Sequence, residues 1–75
     1  MPEILNRTDS SRVYHKGSRY LVSQVRNGSL CRIVIDEPTA LKLADTPKEC
    51  LDLLASDLLV AAKKEGGADY FEVKL

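Results

Sequence analysis

The chain has 75 residues, 44% of them apolar and 29% charged, which is the composition of a folded globular domain and excludes the low-hydrophobicity, high-charge class that stays disordered. A chain this short buries only about 60% of its unfolded surface, so residues 1–75 are read as one domain with one core. The formal net charge is zero, but residues 1–35 hold all the arginines, with six Arg and Lys against Glu3 and Asp9, whereas residues 36–75 hold five lysines against nine carboxylates.

Residues 1–11 carry one apolar pair, Ile4 and Leu5, followed by Asn, Thr, Asp and Ser, and read as a flexible or edge-covering arm. Strands are expected from Arg12 to Lys16 and from Arg19 to Arg26, joined by a turn at Gly17-Ser18. Asn27-Gly28 is the dipeptide that a two-residue type I′ turn requires, because both central residues take positive φ. That turn sets a register running from Arg26 opposite Ser29 to Tyr20 opposite Ile35. Tyr20, Val22, Cys31, Ile33 and Ile35 then share one face, assigned to the core, while Leu21, Val25, Leu30 and Val34 share the other with Ser23 and Arg32.

After a turn at Asp36-Glu37-Pro38, Thr39 to Ala44 is expected to form a short helix. Thr46-Pro47-Lys48-Glu49 then reads as a helix start, with Thr46 as N-cap and Glu49 closing a capping box. The helix should run from Pro47 to about Glu65 and leave through Gly66-Gly67. Leu51, Leu54, Ala55, Leu58 and Ala62 make its buried stripe, with Leu59 and Ala61 beside it, and Leu53 and Val60 form a second stripe nearly opposite. Asp69 to Leu75 alternates as a final strand, with Phe71, Val73 and Leu75 on one side. The fold class is α+β: a small antiparallel sheet, an N-terminal β-meander plus a C-terminal strand, packed on one main helix with a short helix before it.

Catalytic chemistry finds few candidates. His15 is the lone histidine, and with Cys31 and Cys50 it offers no close-spaced metal-ligand pair, so no catalytic, metal or cofactor site is expected, nor a small-molecule substrate. Both cysteines are expected to be reduced, buried packing residues. The longest apolar run, Leu58 to Ala62, is far short of the ~20 residues of a membrane span, and no basic-then-apolar leader opens the chain, so a cytoplasmic protein is expected.

The surplus of apolar surface points to a partner. Leu21, Val25, Leu30 and Val34 on the second sheet face, with Leu53 and Val60 on the second helix stripe, exceed what one short helix can cover. The expected function is therefore a non-catalytic protein–protein interaction or regulatory module, with a homodimer as the leading form. The alternative is nucleic-acid binding through Arg12, Lys16, Arg19, Arg26 and Arg32, with Tyr14 and Tyr20 as nearby rings.

Overall fold

The computed structural model describes residues 2–67 and 69–75. Its organising element is the turn at Asn27-Gly28, where φ is 51° and 77°. Two consecutive positive φ values give the hairpin the same hand of twist as its strands, and only residues such as Asn and Gly accept them readily. The flanking strands, β3 (Arg19–Arg26) and β4 (Ser29–Ile35), pair antiparallel in the expected register, from Arg26 opposite Ser29 through to Tyr20 opposite Ile35.

Strand β2 (Ser11–Lys16) pairs with β3, placing Val13 opposite Val22 and Tyr14 opposite Leu21. The arm expected over residues 1–11 is instead mostly strand: β1 (Glu3–Arg7) pairs antiparallel with β2. Its register shifts between Ile4 and Asn6, so Leu5 is a bulged extra residue. Leu5 packs on the core, and Asn6 faces the helices. The Asn6 side-chain amide donates to the carbonyl oxygens of Leu43 (3.0 Å) and Thr46 (2.9 Å), satisfying acceptors at the end of the first helix. Strand β5 (Phe71–Lys74) adds to the free edge of β4, completing a five-stranded antiparallel sheet in the order β1-β2-β3-β4-β5.

Both helices lie on one side of this sheet. Helix α1 (Glu37–Ala44) starts two residues before the expected Thr39. Asp36 is its N-cap, its carboxylate accepting from the Thr39 N–H at 3.0 Å, and Pro38 sits in the first turn, where a missing N–H costs nothing. Helix α2 (Lys48–Glu65) starts without the capping box: its N-cap is Pro47, and no side chain caps it. The Thr46 hydroxyl instead donates to the Lys42 carbonyl oxygen (2.9 Å), serving the end of α1 rather than the start of α2. The exit from α2 is as expected, with Gly66 left-handed at φ 68°.

The core lies between the sheet and the helices: Val13, Val22, Cys31 and Ile33 face Leu43, Leu51, Ala55 and Leu59. The buried stripe of α2 is centred on Leu51, Ala55 and Leu59, each fully buried, rather than on the broader set expected. Leu58 and Ala62 are half-buried beside it, and Leu54 is 37% exposed at its rim. The small Ala55 between two leucines lets the helix backbone approach the sheet closely. Among the described residues no helix is long and apolar enough to cross a membrane.

Candidate interaction surface

With α1 and α2 on one side, the other face of the sheet has no element over it among the described residues. Strand pairing arranges this open face in rungs that cross the strands, each step about 4.8 Å wide. The middle rung crosses all five strands: Arg7, Arg12, Ser23, Arg32 and Phe71. One flanking rung is apolar, with Ile4, Tyr14, Leu21 and Val34, and the other holds Val25, Leu30 and Val73. Lys16 opposite Arg19 closes the end beyond the first of these. The Arg32 guanidinium carbon lies 4.6 Å from the Phe71 ring centroid, a cation–π contact that fixes the guanidinium near the middle of the surface.

The face is apolar and basic together. Ile4 (42%), Val25 (46%), Phe71 (43%) and Val73 (43%) are substantially exposed, Leu30, Val34 and Tyr14 are half-buried, and Leu21 is buried among its neighbours. No strand residue on this face is acidic, since Glu3 and Glu72 pair with His15 and Cys31 on the helical side. Asp9, in the β1–β2 turn, stands at the rim. Two open depressions mark the surface, one of about 270 Å³ beside Arg12, Ser23, Val25 and Leu30, the other of about 380 Å³ beside Tyr14, Arg19 and Leu21; Arg32 lines both.

The structure divides both sets of residues picked out from sequence. Leu21, Val25, Leu30 and Val34 share the open face as expected, but Leu53 and Val60 stand on α2, on the opposite side of the sheet, so the six cannot form one interface. Leu53 is 67% exposed and Val60 46%. Among the expected basic residues, Arg12, Lys16, Arg19 and Arg32 lie on the open face, whereas Arg26, paired with Ser29, points to the helical side. Tyr20 also faces that side; its hydroxyl donates to Glu37 (3.0 Å), which raises the Tyr20 pKa, and its ring stacks on His15 with centroids 4.3 Å apart.

Arg7, Ile4, Phe71 and Val73 complete the surface and were missed as site residues. Arg7 and Ile4 lay in the segment read as an arm. The alternation of Phe71 and Val73 was visible, but not that the apolar side of β5 would be left bare. The opposite side of β5 carries Glu72, held by Tyr70 (2.6 Å) and Lys63 (3.1 Å). These donors lower the Glu72 pKa, and the same carboxylate raises that of Tyr70.

The turn that carries the rim of the site is anchored to α2. The Thr8 hydroxyl and the Ser11 hydroxyl (2.6 Å) both donate to one Asp52 carboxylate oxygen, and the Gln24 side-chain amide donates to Ser11 Oγ and to the Asp52 carbonyl, each at 2.9 Å. The hydroxyl donors, Ser11 first, hold the Asp52 carboxyl below its ordinary pKa. This network spans the sheet–helix interface and positions Arg7 and Arg12 on either side of the turn.

The remaining chemistry-bearing side chains are dispersed. Both cysteines are free: Cys31 is buried as expected, but Cys50, next to the fully buried Leu51, is exposed. Among the described residues no group of three or more His, Cys, Asp and Glu is placed to hold a metal ion. Comparison with protein-family profiles, curated proteins and solved structures finds no match to this chain.

Proposed function

We propose that this chain is a small, non-catalytic interaction module whose working surface is the open face of the sheet. One observation carries the reading: Val25, Leu30, Val73 and Phe71 adjoin one another, with Val34 beyond Arg32, on a face that no other element among the described residues covers. Apolar area left in water forgoes about 25 cal/mol per Å², and contiguous patches of this kind on small proteins mark docking sites. The Leu53 and Val60 stripe is a separate surface on the other side and is not needed for this reading.

A second copy is one occupant the surface could take, and its charge makes that costly. A two-fold, face-to-face pair would press two Arg12–Arg32 rows together, with one carboxylate, Asp9, beside each row against its several cations. Light scattering at micromolar concentration is expected to give the monomer mass. Val25→Glu and Val73→Glu are expected to leave the unfolding free energy within about 0.5 kcal/mol of the parent, as surface substitutions do. A loss beyond about 1.5 kcal/mol would assign these side chains to the protein's own core and remove the case for a docking face.

A further inference from the structure

We infer that the open sheet face binds single-stranded nucleic acid, with phosphates held along the Arg7–Arg12–Arg32 row and bases laid on Phe71, Tyr14 and the apolar rungs. The inference rests on the interaction-module reading and adds the chemistry of the partner. Charge complementarity is its first support. The row is made of arginines, whose planar forks match phosphate oxygens bidentately, and Lys16 and Arg19 extend the basic surface at one end. Among the described residues the one ion pair is Lys63–Glu72, on the helical side, so none of these cations is already neutralised.

The placement of the acidic residues is the second support. Taken from sequence, the acidic exposed side of α2 argues against a polyanion, because phosphate would be repelled. In the fold Glu49, Asp52 and Asp57 lie on α2, and Asp36, Glu37 and Asp45 in and around α1, on the helical side of the sheet, while Asp9 stands at the rim beside Arg7 and Arg12. The neutral total charge thus hides a molecule with a basic face and an acidic back, and an approaching strand meets the basic one.

The interleaving of rings and apolar side chains with the cations is the third. Phosphate contacts alone need only the arginines, whereas a single strand also presents unstacked bases that seek flat, apolar surface. Phe71, at the end of the row and braced by Arg32, and Tyr14, on the rung beside Arg12, provide ring faces. A duplex keeps its bases stacked inside, and a five-stranded sheet is too broad to enter the ~12 Å major groove, so the apolar rungs would find nothing to cover there. A second copy brings like charge to like charge, and an acidic peptide supplies charge without base faces.

Fluorescence anisotropy of a labelled oligothymidine of about 12 nucleotides, titrated with the full chain over a salt series, tests this. Binding is expected at low salt, with log K falling against log salt at a slope of about −2 from three phosphate contacts. Arg12→Ala with Arg32→Ala should remove more than half of that slope. Phe71→Leu, which keeps the apolar bulk and loses the ring, should weaken binding about tenfold and leave the slope unchanged. The duplex of the same length and polyglutamate should each bind at least tenfold more weakly. Circular dichroism of each variant should match the parent, as these side chains lie outside the core.

No binding at low salt, equal binding to polyglutamate, or no effect of Phe71→Leu overturns the inference. A dimer that Val25→Glu dissociates, found together with no oligonucleotide binding, also overturns it while sparing the interaction-module reading.

Discussion

Leu51→Ala is expected to lower the unfolding free energy by about 3–5 kcal/mol, measured by urea denaturation followed by circular dichroism. Leu51 is fully buried at the centre of the α2 stripe and belongs to the same packed cluster as Val13 and Val22 of the sheet. Removing its branched end leaves a cavity beneath a helix that Gln24, Ser11 and Asp52 pin in place at the neighbouring turn, so little collapse is available to refill it. A domain of this length has about 4–11 kcal/mol of stability in all, and the substitution would therefore consume much of it. Leu53→Ala, two residues on but on the outward side, should change stability by no more than about 0.5 kcal/mol. Similar losses at both positions would contradict the packing of α2 described above.

Asp52→Ala should cost about 1–3 kcal/mol at pH 7, because it removes a charged acceptor from two hydroxyl donors, one of them on the buried Ser11. The cost should depend on pH with a defined sign. Hydrogen bonds from Ser11 and Thr8 lower the folded-state pKa of Asp52 from its ordinary 3.8, so its contribution is complete above that value and is lost as pH falls below it towards the folded pKa. The stability gap between parent and variant should accordingly be widest near neutrality and narrow as the pH falls below 3.8. Asp36 and Glu72, whose pKa values are also lowered, make both proteins less stable in acid, so the difference between the two curves is the quantity to read. A gap that does not change with pH would mean that the Asp52 carboxylate does not hold the β1–β2 turn.

Much of this architecture was readable from local chemistry. Asn27-Gly28 specified a turn, the turn specified the register, and the register placed Val22, Cys31 and Ile33 on the core side and Val25, Leu30 and Val34 on the other. The α2 exit followed from Gly66 in the same way. What escaped depended on partners distant in sequence. Glu3–Arg7 contains too few apolar residues to announce a strand, and it is held there by β2 and by hydrogen bonds from Asn6 to carbonyls 37 and 40 residues away. Thr46 had the right spacing for an N-cap, yet the end of α1 lay closer to its hydroxyl. Asp36 read as a turn residue; the same kind of side-chain-to-backbone hydrogen bond makes it the N-cap of α1 instead.

The candidate site was half visible for the same reason. Its hairpin residues followed from the register, but the alignment of Arg7, Arg12, Arg32 and Phe71 needs four strands paired in order, which periodicity within one segment cannot supply. The register did imply that Arg26 faces away from Leu30, but nothing in the sequence said that Leu53 would end on the far side of the sheet from it.

The most direct check is to measure how closely a small neutral paramagnetic agent in water approaches each methyl group of the isotope-labelled chain. Strong broadening is expected for Val25, Leu30, Val34 and Val73, with Val13, Val22, Leu51 and Leu59 shielded. Shielding of the first group equal to that of the second, at every protein concentration, would mean that the chain already covers this side of its sheet and would contradict the account.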